Sequence, residues 1–273
     1  MNLSHENEPF TTGTGSPEGD LTADEMRQIV KDTLSTVPTG SRVLAIIPDK
    51  TRDDNTHILF PQAAAALAAK GVKQLDALVA QGTHSPMTEA EKLTKIGAKS
   101  LADIPNLGQI FDHRWNRPED LVNIGEIPAD EVSRITGGLF NESIPLAING
   151  LAASGSYDLI LIFGATVPHE VAGFAGGAKY FFPGIAGAQL THKTHWLGAL
   201  ATIERIIGRI ETPTRHLIEA AADRITTSVI TFTSVISRTN EDRLRTYAVF
   251  GGDYRSSLRR AAEVSRRVHI KYT

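Results

Sequence analysis

Apolar residues along this chain fall into short continuous runs that are separated by stretches with helical periodicity. The runs predict strands at 43–49, 75–80 and 157–165, and further strands at 228–236 and 246–250. Helices are predicted at 22–34, where Thr22 suits an N-cap, and at 60–69, 88–96, 213–222 and 254–268. Residues 99–155 have a mixed pattern that predicts no definite element.

This alternation of strands and helices predicts the α/β class, with a Rossmann-like, mostly parallel sheet and helices on both faces. Strands that are covered on both faces read as continuous apolar runs, as these do. Residues 1–20 are rich in Gly, Ser, Thr, Pro and Glu and predict a disordered leader. Residues 21–273 are then expected to form one domain.

Charge and composition limit the classes of partner. The 273 residues carry 28 basic and 31 acidic side chains, a net charge of -3, so no overall positive field is available for nucleic acid or an anionic membrane. The absence of cysteine excludes disulfides, cysteine-bound iron–sulfur clusters and thiolate zinc sites. The apolar runs fall short of the roughly 20 residues that cross a bilayer, and the polar start lacks a secretory signal. We expect a soluble cytoplasmic protein.

Polar clusters follow three of the predicted strands. Residues 49–54, residues 81–84 and residues 166–179 each begin where a strand ends. In open sheets of this kind, ligands bind outside the carboxyl ends of the strands. We therefore expect the three clusters to converge at one edge of the sheet.

The clusters contain side chains suited to an anionic ligand. The guanidinium of Arg52 and the hydroxyls of Thr51 and Thr83 could hold a phosphate or carboxylate. The imidazoles of His84 and His169 would flank it. Each group alone has a structural alternative, because an Asp-x-x-Arg sequence often forms a local salt bridge and a single histidine is often only a hydrogen-bonding residue.

The third cluster contains a glycine-rich segment that ends in a lysine. It is not a P-loop, because Ala178 precedes Lys179 and Tyr180 follows it where Ser or Thr would bind magnesium. It does not read G-x-G-x-x-G either, so ordinary ATP or NAD binding is poorly supported. Lys179 would act as a nucleophile or covalent anchor in a partly apolar pocket, or it would only neutralise a phosphate.

Three further histidines are candidates for a site. His192 and His195 lie three residues apart and share a face if their segment is helical. Imidazole suits zinc, nickel and copper, but two histidines without a nearby carboxylate make an incomplete zinc site. His113 fits a site or a structural role equally well.

Together these motifs resemble the N-terminal domain of the lactate racemase family, which includes related 2-hydroxy acid racemases and epimerases. The order of the motifs and the spacing from His169 through Lys179 to His195 carry the resemblance, which runs from about residue 40 to the closing helix. The matching elements are Pro48-Asp49-Lys50-Thr51-Arg52, Gly82-Thr83-His84, Pro168-His169, Ala172-Gly173, Gly176-Gly177-Ala178-Lys179, Pro183-Gly184-Ile185, His195 and Gly251-Gly252-Asp253-Tyr254.

The resemblance implies a nickel pincer nucleotide as cofactor. This is a nickel(II) pyridinium-3,5-bisthiocarboxylate mononucleotide, in which two sulfurs and one ring carbon bind the metal. By position, Lys179 would form the thioamide link to it and His195 would supply the fourth nickel ligand. Its nucleotide portion would be bound by Asp49, Lys50, Thr51 and Arg52.

The resemblance also implies racemisation of a lactate-like 2-hydroxy acid by hydride transfer, with His84 and His169 as the two acid/base residues. Removing the Cα proton directly is difficult, because the adjacent carboxylate makes that carbon a very weak acid. Hydride transfer avoids this step, and an imidazole can serve as acid or base near neutrality.

Family members usually carry a second domain, which we expect this chain to lack because it stops at Thr273. A companion chain or a homo-oligomer could complete the cleft. Two alternatives remain beside the racemase. One is a non-catalytic module that binds the nickel nucleotide, or half of a two-chain enzyme. The other is a metal-dependent hydrolase that uses His192, His195 and a carboxylate.

Overall fold

A computed structural model describes residues 10–270. The strands are β1 (Thr11–Gly15), β2 (Arg42–Pro48), β3 (Gln74–Ala80), β4 (Leu107–Asp112), β5 (Leu121–Ile127), β6 (Ile144–Asn149), β7 (Leu159–Ala165), β8 (Pro168–His169), β9 (Gly173–Phe174), β10 (Ser228–Arg238) and β11 (Leu244–Gly252). The helices are α1 (Ala23–Thr33), α2 (Thr56–Ala69), α3 (Glu89–Lys95), α4 (Ala129–Thr136), α5 (Gly150–Ala153), α6 (Ala188–Ala201), α7 (Ile203–Ile206), α8 (Pro213–Ala222) and α9 (Tyr254–His269).

Seven strands form the central sheet, in the order β1-β11-β10-β7-β2-β3-β4. The strands from β10 to β4 run parallel to one another, and β11 is antiparallel to both of its neighbours, β10 and β1. Outside this sheet, β5 pairs with β6 and β8 pairs with β9. The α/β class and the mostly parallel sheet are confirmed.

Both faces of the sheet are covered, which explains the continuous apolar runs. Along β2, Leu44 and Ile46 pack in the core beneath α6 and α8. The alternate positions Val43, Ala45 and Ile47 pack with α1 and α2 on the opposite face. Successive side chains of a strand point to opposite faces, so all of positions 43–47 must be apolar. None of the helices between residues 10 and 270 has the length and apolar character to span a bilayer.

Most predicted elements are present, with small differences at their ends. Thr22 and Thr88 both cap their helices in capping boxes, with Glu25 and Glu91 as the reciprocal partners. The helix α2 begins at Thr56, four residues earlier than predicted, because the preceding turn is held by a hydrogen bond from Thr56 N to Asp54 Oδ1. The unassigned segment 99–155 contains β4, β5, β6, α4 and α5.

The predicted disordered leader is wrong for Thr11–Gly15, which form the edge strand β1. Composition favoured disorder, but the small residues let this segment approach β11 closely and pair with it from Thr11↔Gly252 to Gly15↔Ala248. A Cβ built on Gly15 would lie 2.0 Å from Ala248 Cβ, so the approach requires glycine. Residues 1–9 of the predicted leader lie outside the described residues.

We expect Gly15→Val to detach β1 from β11 and to lower the free energy of unfolding by about 1–3 kcal/mol, the usual cost of overpacking. Amide hydrogen exchange of residues 11–15 and denaturant unfolding measure the two effects. Thr14→Val is the matched control, because Thr14 is exposed in the same strand. Equal exchange and stability in both variants would contradict the close approach of the two strands.

Candidate active site

Three polar segments meet in one open cleft at the carboxyl edge of the sheet. The strands β7, β2 and β3 are neighbours, so the residues that follow them lie side by side. The cleft has a volume of about 370 Å³. The predicted site residues that line it are Asp49, Arg52, Thr83, His84, His169, Lys179 and His195.

His84 and Asp49 are joined by a hydrogen bond on one wall of the cleft. The Nδ1 atom of His84 lies 2.6 Å from Asp49 Oδ2, and the Asp49 side chain is only 4% exposed. The other carboxylate oxygen accepts hydrogen bonds from Thr51 N at 2.7 Å and Thr51 Oγ1 at 2.5 Å. Burial raises the pKa of Asp49, but the hydrogen bonds of Thr51 and His84 outweigh it and hold this pKa below its ordinary value. Asp49 is therefore ionised at neutral pH.

His169 lies in the short hairpin of β8 and β9, and its side chain is 12% exposed. Its Nδ1 accepts a hydrogen bond of 3.0 Å from Val171 N. Burial, together with the positive charges of Lys179 and Arg52, lowers the pKa of His169 to about 3. The imidazole is therefore neutral at pH 7.

Lys179 lies in a 3-10 turn, Gly177–Tyr180, that faces the cleft. Within the described residues its hydrogen bonds are all made by its backbone, so its amine is available to a ligand. Gly176 has φ 96°, and a Cβ there would lie 2.8 Å from Thr166 Oγ1, which explains the glycine before the turn. Burial, and then the positive charges of Arg52 and Arg215, lower the pKa of Lys179 to about 8.

Arg215 of α8 supports this turn from below, a role that was not predicted from the sequence. Its side chain is 1% exposed. Nη1 donates to Gly176 O at 3.1 Å, and Nη2 donates to Phe174 O. Glu219, one turn further along the helix, pairs with Arg255 instead. The only sequence signal for Arg215 was a charged residue on the apolar face of a predicted helix.

His195 is exposed on α6 at the rim of the cleft. Its Nδ1 lies 2.7 Å from the carbonyl oxygen of Thr191, which can only accept, so Nδ1 carries the hydrogen. Nε2 then keeps a lone pair that can bind a metal. His192 is on the same helix but does not line the cleft.

Two predicted cofactor residues lie elsewhere than expected. Lys50 faces a neighbouring cavity, and its Nζ pairs with Glu91 Oε1 at 2.6 Å. Thr51 binds Asp49 and does not line the cleft. Arg52 does line it, and its hydrogen bonds within residues 10–270 are made only by its backbone, which leaves the guanidinium available. These differences arise because successive residues of a turn point in different directions.

His113, which fitted a site or a structural role, has a structural position. It is fully buried, and its Nε2 lies 3.0 Å from Ala186 O. Burial lowers its pKa, so it is neutral. The part of the chain that the structure describes contains no group of three or more His, Cys, Asp or Glu residues arranged to hold a metal ion.

Comparison with known families identifies the family of this chain. The profile of the lactate racemase N-terminal domain matches residues 25–205, about two thirds of the chain. The chain belongs to this family.

Curated relatives agree with the assignment. The chain is 31% identical over 169 residues to the lactate racemase of Lactiplantibacillus plantarum, a match that covers 61% of this chain and 35% of that protein. It is 30% identical over 154 residues to the lactate racemase of Thermoanaerobacterium thermosaccharolyticum, covering 56% and 32%. The matched part is thus about a third of the length of either relative.

Solved structures share the fold. A crystal structure of a Thermotoga maritima protein matches with a TM-score of 0.84 and 29% identity, covering 94% of this chain and 62% of that one. The lactate racemase apoprotein of Thermoanaerobacterium thermosaccharolyticum matches with a TM-score of 0.67 and 21% identity, covering 96% and 58%. At that identity the second match shows the fold alone.

The lowered pKa of Lys179 predicts selective reactivity. With a pKa of about 8, this amine is roughly half neutral at pH 8, whereas an ordinary lysine with a pKa of about 10.4 is almost entirely charged. We expect acetic anhydride to acylate Lys179 on the order of 10- to 100-fold faster than exposed Lys73 at about pH 8. Pulse labelling with peptide mass spectrometry measures both rates, and equal rates with the same pH midpoint would contradict the prediction.

The support from Arg215 predicts a second effect. Arg215→Met should cost about 1–3 kcal/mol for each carbonyl that loses its donor, and the loss of a nearby cation should raise the pH midpoint of Lys179 acylation. Arg259→Met is the control, because Arg259 makes an exposed ion pair with Glu211 and should change stability by about 1 kcal/mol or less. An unchanged acylation midpoint in Arg215→Met would show that its charge does not act on Lys179.

Proposed function

We propose that this chain forms the catalytic domain of a racemase or epimerase that acts on a lactate-like 2-hydroxy acid with a nickel pincer nucleotide. The observation that carries the proposal is the presence of His84, His169, Lys179 and His195 in one cleft. They belong to two separate strand-end segments and one helix, so nothing in the local sequence requires them to meet. The activity of the whole family protein is part of this proposal, since the chain matches about a third of its relatives' length.

The donor groups of the cleft fit this cofactor. Lys179 offers an amine with a lowered pKa for a covalent link. His195 offers an Nε2 lone pair, and imidazole is a suitable nickel ligand. One protein ligand is enough if the cofactor itself supplies the others. Arg52 can bind a phosphate, whereas Lys50 and Thr51 are already engaged with Glu91 and Asp49.

The chain's own residues would bind the substrate and move its protons. When bound, the cofactor would supply a hydride acceptor and donor at its pyridinium ring. Arg52 and Lys179 would attract anions into the cleft, but attachment of the cofactor would neutralise Lys179 and engage Arg52 with the phosphate. The imidazoles of His84 and His169 would take up and return the hydroxyl proton as Cα becomes planar. Hydride could then return to either face of the planar Cα, which gives either configuration.

The two alternatives have less support. A non-catalytic module that only binds the nickel nucleotide would not need both His84 and His169 in the cleft. Half of a two-chain enzyme would need both, and it stays a prediction. A hydrolase that uses His192, His195 and a carboxylate lacks its ligand set, because residues 10–270 hold no such group of three. A companion chain or homo-oligomer and a cytoplasmic location stay predictions.

Co-production with enzymes that make the nickel pincer nucleotide tests the proposal. We expect intact mass to show a covalent adduct that is lost in Lys179→Ala, and metal analysis to show nickel that is lost in His195→Ala. His192→Ala is the matched control, because His192 is on the same helix but outside the cleft. Unmodified protein that contains zinc would overturn both the cofactor and the function.

If the adduct forms, a panel of 2-hydroxy acids separates an enzyme from a carrier. We expect inversion at Cα of at least one acid, measured by chiral chromatography, and a loss of about 100-fold or more in His84→Ala and His169→Ala. An adduct without any inversion, even when the remaining part of a family protein is supplied as a second chain, would favour the carrier.

A further inference from the structure

The two histidines proposed for proton transfer are held by opposite kinds of hydrogen-bonding partner. A neutral imidazole carries one hydrogen, and the partner of Nδ1 decides whether that hydrogen is on Nδ1 or on Nε2. In both histidines Nδ1 is engaged within the protein. No described residue makes a hydrogen bond with Nε2 of either ring, and the state of Nε2 follows from the partners of Nδ1.

His84 must carry its hydrogen on Nδ1. Its partner, Asp49 Oδ2 at 2.6 Å, belongs to an ionised carboxylate that can only accept. The neutral ring therefore has a lone pair on Nε2. The carboxylate is held firmly, because Thr51 N and Thr51 Oγ1 bind its other oxygen.

His169 must carry its hydrogen on Nε2. Its partner, Val171 N at 3.0 Å, is a backbone amide that can only donate, so Nδ1 has the lone pair. The carboxylate of Glu170 lies 3.6 Å from the same Nδ1, which is too far for a hydrogen bond, and this side chain is 62% exposed. The lowered pKa of His169 is consistent with this neutral form.

We propose that His84 and His169 are preset in opposite tautomers, so that His84 accepts the substrate hydroxyl proton at Nε2 while His169 donates a hydrogen bond from Nε2 to a substrate oxygen. Asp49 is then the positioning residue for His84, and it does not bind the nucleotide. The catalytic roles in this inference rest on the proposed function. The tautomers themselves follow from the hydrogen bonds alone.

The opposite tautomers make proton uptake and proton donation different. His84 is ready to accept a proton, whereas His169 must be protonated before it can give one up and end neutral. When His84 takes the hydroxyl proton it becomes an imidazolium next to Asp49, and the same proton can return to the oxygen. For His169 to give a proton from Nε2 and end neutral, it must first gain a proton from solvent on Nδ1. The amide of Val171 must then be released, and Glu170 is the nearest acceptor for that new proton.

Nitrogen-15 NMR of the cofactor-free protein tests the tautomers directly. Long-range proton–nitrogen correlations distinguish a nitrogen with hydrogen from one with a lone pair, and a pH series identifies the signals of the neutral imidazoles. We expect hydrogen on Nδ1 of His84 and on Nε2 of His169. His195 is an internal reference for the first pattern, because its Nδ1 donates to Thr191 O. The same tautomer for His84 and His169 would overturn the proposal.

Substitution tests the role of Asp49. In Asp49→Ala we expect the His84 signals to shift toward hydrogen on Nε2, the preferred form of a free imidazole, with no change at His169 or His195. Asp53→Ala is the matched control, because Asp53 also lines the cleft but pairs with Arg238. Glu170→Gln should leave the His169 pattern unchanged, and a change there would show that Glu170 already holds Nδ1.

The tautomer test and the test of the proposed function can fail independently of each other. If no nickel adduct or inversion is found but the opposite tautomers are present, the function fails and the hydrogen-bonding states stand. If the adduct and inversion are found but both histidines have the same tautomer, this inference fails alone. With active holoenzyme, Asp49→Ala should lower kcat by about 100-fold or more with little change in KM, whereas a loss of nucleotide binding would reduce the amount of adduct.

Discussion

The parallel hydrogen bonding of β7, β2 and β3 is the constraint on which the candidate site depends. Ile46 is paired with Ile162 on one side, and Pro48 is paired with Ala80 on the other. These pairings align the three carboxyl ends within about one residue. A parallel register also requires the connecting segments to return over the faces of the sheet, so the strand ends stay open to a ligand. Chemistry from distant parts of the chain therefore meets in one cleft.

The sequence predicted this convergence because it depends on backbone rules and not on side-chain detail. Buried parallel strands leave a strong apolar signal, and the position of a strand end predicts where the next residues lie. The direction of each side chain in a turn could not be predicted from the sequence. Lys50 and Arg52 are two residues apart, yet one pairs with Glu91 in a neighbouring cavity and the other faces the cleft.

Two other features were hidden from the sequence for physical reasons. The strand β1 is composed of Thr and Gly, so its stability comes from pairing with β11 and not from its own propensity. Arg215 looks like a surface residue in composition, but it is buried because the carbonyl oxygens of Phe174 and Gly176 need donors. In both cases the deciding partner is remote in the chain.

Charge is concentrated locally in a chain whose net charge is -3. Lys179, Arg52 and Arg215 lie close enough to one another to lower the pKa of Lys179. Within residues 10–270 no carboxylate forms an ion pair with Arg215, although the charge of Glu219 acts on it. Burying it is therefore costly, and its hydrogen bonds to two carbonyls offset only part of that cost. A carboxylate in contact with Arg215 would cancel the field that favours a neutral amine at Lys179. The unpaired guanidinium is therefore consistent with a site that keeps Lys179 reactive and attracts an anion, at some expense of stability.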